Sequence, residues 1–299
     1  MQAPRNITAA LLVMGGMAIV SLVDNFVQEM SRHHGLWQFH VMRSAVAVPV
    51  LVLAARLTGA RLRVRRPVRL ALRCLAIAAG LVIYFSALGA LPVAQAGAGL
   101  FSAPIWVLIL SAILFRYPMT LPQLGAILAG FAGVLLLLQP DLARLSLWSF
   151  LPLSAGMLYG LGTLLTRYWC TDEPTMALAI GVFVALGAIS LVPLVGFSLW
   201  PVAEAPGFVT RGWEPLTPRF TWLALIQTLG AIVTMPMVAQ AYRIGIPAYV
   251  SVFEYSFLVF AGLWALLLWG QGMSLMGWGG VALIILSGLA MSLMQRRAG

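Results

Sequence analysis

Glu254 is the only charged residue from Ile244 to Gln295. Two other charges, Asp24 and Arg43, stand in comparably apolar stretches. On a helix, Glu254 shares a face with Val250, Ser251, Phe257, Leu258 and Ala261, and Tyr249, Phe253 and Tyr255 offer rings beside it. A carboxylate among aromatic rings suits an amine or quaternary cation, or a proton whose movement is linked to that of a substrate. The competing reading is a buried ion pair with Arg43 or Arg243 that fixes helix packing. Ser21, Asp24, Asn25 and Gln28 fall within an arc of about 100° at helical spacing. They either line the outer half of a pathway or form the polar end of a helix, since Glu29, Arg32 and His33 follow. His40, Arg43 and Ser44 make a second such arc. Arg43 most simply pairs with Asp24 or Glu29 across a helix hairpin; alternatively it holds a substrate carboxylate. Tyr84, Phe101, Tyr159 and Gln227 are further pathway candidates, each equally explicable as core. His33 and His34 have no Cys or acidic partners at ligand spacing, so neither metal nor cofactor is expected.

The elements that must position these groups follow from composition. Hydrophobic residues make up 62% of the 299-residue chain, charged residues 9%, and mean hydropathy is +0.98. A soluble domain carries about 25% charged residues, so lipid is the solvent for most of this chain. Apolar runs of about 20 residues, as in Ala71–Leu91, exclude a barrel, whose strands alternate in polarity every second residue. The class is an all-α integral membrane protein. All 18 basic residues are Arg and the net charge is +10, which raises the possibility of nucleic acid. Seven of them, from Arg56 to Arg73, crowd between two apolar runs, as the positive-inside rule requires, with some contact to anionic lipid head groups. Cys74 and Cys170 read as reduced structural thiols. The first apolar run reads as a retained helix, not a cleaved signal.

Breaking the chain at Pro, Gly and charge predicts ten spans, near 7–29, 36–56, 70–90, 93–115, 120–139, 147–168, 175–198, 220–242, 247–269 and 274–294. The loop 200–220 reads as an interfacial segment. With the termini inside, 13 Arg are cytoplasmic and five are not, which sets the orientation. Residues 89–133 and 244–288 then align without a gap: Pro92 with Pro247, Gly125 with Gly280, Gly133 with Gly288. An odd number of spans per copy inverts the second copy, giving repeats over 1–143 and 144–299. Inverted repeats place a substrate site near the midplane between halves that rock to alternate access. Pro92, Pro104 and Pro247 would kink or start helices at the bending points. Asp24 and Glu254 are expected at depths differing by about 15 Å, marking outer and inner parts of one pathway.

At "ALGALPVAQAGAGLFSAPIW" with "QLGAILAGFAGVLLL", and "AYRIGIPAYVSVFEYSF" with "GWGGVALIILSG", the chain resembles the drug/metabolite transporter superfamily in its ten-helix EamA-type branch. The resemblance implies a cavity lined by helices 1, 3, 4, 6, 8 and 9, with helices 5 and 10 peripheral. Many relatives carry a Gly-Glu pair before the fifth helix, where this chain has Phe115-Arg116 and, in the second half, Gly270-Gln271. The absence of a nucleophile-base pair or a phosphate-cradling loop argues against an enzyme or an ATP-driven pump. The expected activity is secondary transport of small amphipathic metabolites, foremost export of neutral or aromatic amino acids, loosely like the family's YddG-type exporters. The alternative is uptake or exchange of a nitrogenous cation such as S-adenosylmethionine, a flavin or a quaternary amine. Expected partners are a small-molecule substrate, the lipid bilayer and, through proton coupling, protons, but no nucleic acid. The expected form is a monomer or weak dimer in a bacterial inner membrane.

Overall fold

The computed structural model describes residues 5–90, 93–118, 120–140, 150–202, 207–270 and 272–298. Within them every regular element is helical. The elements are α1 (Asn6–Val23), α2 (Val27–Ser31), α3 (Leu36–Leu57), α4 (Pro67–Ala90), α5 (Val93–Leu100), α6 (Ala103–Phe115), α7 (Leu121–Leu138), α8 (Leu151–Trp169), α9 (Thr175–Leu199), α10 (Pro218–Ile244), α11 (Pro247–Val252), α12 (Ser256–Trp269) and α13 (Leu275–Ala298). Counting α1 with α2, α5 with α6, and α11 with α12 as single crossings gives the ten spans expected. Nine of them are long and apolar enough to cross a membrane. The exception is α8, whose glycines, threonines, tyrosines and Arg167 lower its hydropathy. It is turned inward instead: Cβ atoms at Gly156 and Gly160 would press on the carbonyls of Gly99 and Ala103 at 2.6 and 3.1 Å.

Local chemistry sets the helix ends. Thr120 and Gln123 form a reciprocal capping box at the start of α7. Thr217 accepts from the Phe220 N–H at 3.2 Å, and Pro218 opens α10. Gly270, at φ 65°, closes α12 in a left-handed conformation. The third span begins at Pro67 rather than 70, because the buried Glu173 carboxylate accepts from the N–H groups of Arg65 (2.9 Å) and Arg66 (2.7 Å). Arg73 is therefore part of the bundle, not of the charged loop. Its Nε donates to Thr166 Oγ1 at 2.8 Å and its Nη1 to the Leu178 carbonyl at 2.9 Å.

Loop contacts sort into two faces. On one, Arg5 N–H meets the Ile244 carbonyl at 3.0 Å and Arg243 Nη1 donates to the Glu173 carbonyl at 2.9 Å. On the other, Leu36 N–H donates to Phe208 (2.9 Å), Trp37 Nε1 to Val209 (2.6 Å) and Gln38 Nε2 to Glu214 (2.7 Å). The loop expected to lie at the interface thus clasps the start of α3. Exposed aliphatic side chains such as Leu53, Val192, Leu267 and Leu286 cover the outside of the bundle, as lipid contact requires.

The most extensive helix contacts are α1 with α10, α4 with α8, α3 with α9, and α7 with α13. Numbered as spans these are 1–8, 3–6, 2–7 and 5–10. Exchanging spans five apart maps the first pair onto the second and returns each of the others to itself. In the last pair, a Cβ at Gly133 would lie 2.7 Å from the Gly280 carbonyl, and one at Gly280 would lie 2.5 Å from the Gly133 carbonyl. Such reciprocal small-residue contact brings two membrane helices backbone to backbone. Gly125, on the same helix α7, faces open space instead.

Three spans are interrupted at mid-course. A 3-10 turn, Asp24–Phe26, separates α1 from α2; a second, Phe253–Tyr255, separates α11 from α12. Phe101 and Ser102 form a turn between α5 and α6. Both carboxylates of interest therefore stand in breaks rather than on continuous helices. Mid-helix 3-10 segments and discontinuous membrane helices recur where a helix must bend or present backbone to a cavity. Pro104 and Pro247 each fall in the first turn of the helix they open, where the missing N–H costs nothing. They start helices and do not kink them. Pro92 lies outside the described residues.

Candidate functional site

Two apolar clusters build the interior. One joins α3, α4, α9 and parts of α10; the other joins α1, α7, α11 and parts of α10, α12 and α13. A cavity with about 770 Å³ of empty space, its open mouth included, draws its walls from both. Asp24, Tyr84, Phe101, Pro104, Tyr159, Gln227, Glu254 and Phe257 all line it, and so does Arg43. They come from spans 1, 2, 3, 4, 6, 8 and 9. Span 2 is an addition to the lining that the resemblance implies, and it enters through Arg43 alone.

Each carboxylate is held by one neutral donor from another helix. Gln227 Nε2 on α10 donates to Asp24 Oδ1 at 3.0 Å. Tyr159 Oη on α8 donates to Glu254 Oε1 at 3.1 Å. The second tyrosine near Glu254, Tyr242, is fully buried and its hydroxyl makes no hydrogen bond of ordinary geometry. The apolar walls include Met17, Leu81, Phe85 and Val238. Within the second cluster, Phe101 and Phe257 meet with ring centroids 5.2 Å apart. The site thus combines aromatic and aliphatic surface with charges of both signs, the usual make-up of a ligand cavity.

Several expectations need correction. Glu254 makes no ion pair with Arg43 or Arg243 among the described residues: Arg243 Nη1 donates to a backbone carbonyl, and Glu254 takes its bond from Tyr159. Arg43 pairs with neither Asp24 nor Glu29 within 4.0 Å; Glu29 is held by Arg219 at 2.7 Å. Arg43 is 3% exposed, with its Cζ 5.8 and 5.4 Å from the Phe39 and Phe183 ring centroids. Its Nε and Nη1 have no hydrogen-bond partner among the described residues. Tyr249, Phe253 and Tyr255 turn away from the cavity. Tyr249 Oη lies 3.1 Å from Ser292 Oγ, while the rings of Phe253 and Tyr255 approach Gly288 and Gly130. Ser251 is buried and donates to the Ala248 carbonyl at 3.4 Å, and Ser21 to Ala18 at 3.1 Å; neither lines the cavity. The side chains of Asn25 and Gln28 lie outside the described residues. The polar stripe drawn through them presumes an unbroken helix, and the turn at Asp24 interrupts it. No group of three His, Cys, Asp or Glu side chains among the described residues is placed to hold a metal.

Residues 7–139 match the EamA-like transporter family. No curated protein matches the chain, but 29 solved chains do. One, from the crystal structure of another protein, superposes with a TM-score of 0.76 at 18% identity, covering 96% of this chain and 98% of that one. At that identity the likeness shows the fold alone, over nearly the whole chain. Together with the nine helices long and apolar enough to cross a membrane among the described residues, the match over 7–139 is similarity to a transporter family.

Proposed function

We propose that this protein is a secondary-active exporter of neutral and aromatic amino acids. One observation carries the reading: a single cavity, lined from both apolar clusters, combines aromatic and aliphatic walls with a guanidinium and two carboxylates. An amino acid with an apolar side chain carries the complementary three parts: an apolar group, a carboxylate and an ammonium. We further propose that residues 1–143 and 144–299 are inverted repeats that rock about this cavity. The self-mapping helix pairs and the reciprocal Gly133–Gly280 contact support this. The distribution of Arg between the two loop faces favours cytoplasmic termini and a bacterial inner membrane. Glu254, held only by a tyrosine hydroxyl, is the group proposed to carry a coupling proton.

The presence of two carboxylates beside one guanidinium favours a second reading, exchange of a nitrogenous cation. Counterflow in proteoliposomes decides between them, using labelled L-phenylalanine, S-adenosylmethionine and choline. Exchange of phenylalanine by the wild type supports the first reading. Exchange of the cations alone, lost in Glu254→Gln, replaces it with the second.

A further inference from the structure

Arg43 poses a problem that the bundle does not solve. A buried guanidinium brings five N–H donors into a low-dielectric site, and leaving them unpaired is costly. Two aromatic rings flank it, which compensates only part of that cost. Its Nε and Nη1 remain without partners among the described residues, although the side chain lines the cavity. Asp24 lines the same cavity and attracts Arg43 electrostatically, yet the two do not close into an ion pair. Gln227 presents the matching excess on the acceptor side. Its Nε2 is spent on Asp24 Oδ1, and its Oε1 is buried without a donor. Unsatisfied donors on Arg43 and an unsatisfied acceptor on Gln227 thus line one cavity together with the Asp24 carboxylate.

Resting on the amino-acid reading above, we propose that Arg43 holds the α-carboxylate of the substrate while Asp24 and Gln227 hold its α-ammonium. The two ends of a zwitterion are one carbon apart, so their anchors must be neighbours. Arg43 and Asp24 meet that condition. Glu254 is engaged elsewhere, accepting from the Tyr159 hydroxyl on α8 at 3.1 Å. A zwitterion between Arg43 and Asp24 gives each charge an opposite partner and leaves the occupied wall neutral. Its side chain then extends along the aromatic and aliphatic lining.

The test is competition against labelled L-phenylalanine exchange in proteoliposomes of the full chain. The competitors are L-phenylalanine, its methyl ester (no carboxylate) and 3-phenylpropionate (no ammonium). In the wild type each single-ended analogue should compete about 10- to 100-fold more weakly than phenylalanine, the loss of a charge-assisted bond. Arg43→Gln should weaken phenylalanine by a similar factor without weakening the ester. Asp24→Asn should weaken phenylalanine without weakening 3-phenylpropionate. An ester that competes as well as phenylalanine in the wild type overturns the proposal, even if neither variant folds. Phenylalanine affinity unchanged in Arg43→Gln overturns it as well. In both cases the amino-acid reading survives, because the wild type still exchanges phenylalanine. A wild type that exchanges no amino acid sinks both.

Discussion

Asp24 and Glu254 occupy parallel settings and differ in one respect. Each stands in a 3-10 turn that interrupts a membrane helix, and each lines the same cavity. Each accepts one hydrogen bond from a neutral side chain on another helix, at 3.0 and 3.1 Å. Asp24 feels the Arg43 guanidinium across the cavity, whereas Glu254 takes its hydrogen bond from the Tyr159 hydroxyl. A carboxylate with a cation nearby is suited to staying charged and binding charge. One surrounded by hydroxyls is suited to gaining and losing a proton. On the proposed reading, the environment around each carboxylate, and not the residue type alone, separates their roles.

The largest effect that sharpens this contrast is expected at Asp24. Asp24→Asn should raise the half-saturating concentration for amino-acid exchange about 10- to 100-fold, read from the concentration dependence of counterflow. Glu254→Gln should leave that exchange within about threefold while abolishing accumulation driven by an imposed pH gradient, a split between binding and coupling. Equal losses of exchange in the two variants would erase the distinction. Next in size is the support behind the Glu254 turn. A Cβ at Gly130 would lie 2.6 Å from both Ser287 Oγ and the Tyr255 ring. Gly130→Ala should therefore lower stability by about 1–3 kcal/mol, seen as a lower melting midpoint in detergent. Gly125→Ala, with nothing within 4 Å of the new Cβ, serves as the control and should move the midpoint little. The smallest expected change is in Tyr159→Phe. Losing the hydroxyl removes a bond worth about 1 kcal/mol and should displace the pH dependence of transport while sparing affinity; a pure affinity loss would move Tyr159 to the binding side of the contrast.

The ten spans were legible because lipid imposes one rule on every spanning segment, namely that its backbone bonds be met internally over a fixed thickness. The breaks at Asp24 and Glu254 were not. Neither Pro nor Gly stands in Asp24–Phe26 or Phe253–Tyr255, so packing between helices makes these turns. The same distinction runs through the site. Asp24 and Glu254 drew attention as charges in apolar sequence. The role of Arg43 was obscured because the nearest acidic residues in the chain seemed sufficient partners. Glu29 is instead taken by Arg219, 190 positions away, and only the folded arrangement shows it. Likewise, Tyr249, Phe253 and Tyr255 adjoin Glu254 in sequence but turn toward α13 and α7. Helical spacing fixes which residues share a face, and the neighbouring helices decide which face meets the cavity.

The Gly133–Gly280 contact carries a consequence for how this sequence can vary over time. Each position is closed by the other's backbone carbonyl, at 2.7 and 2.5 Å from a Cβ. A side chain gained at one position cannot be offset by a loss at the other, because no residue is smaller than glycine. Most packed pairs drift together, one enlarging as its partner shrinks. Among relatives that retain this crossing, positions 133 and 280 should show no such exchange, and each should remain glycine independently of the other.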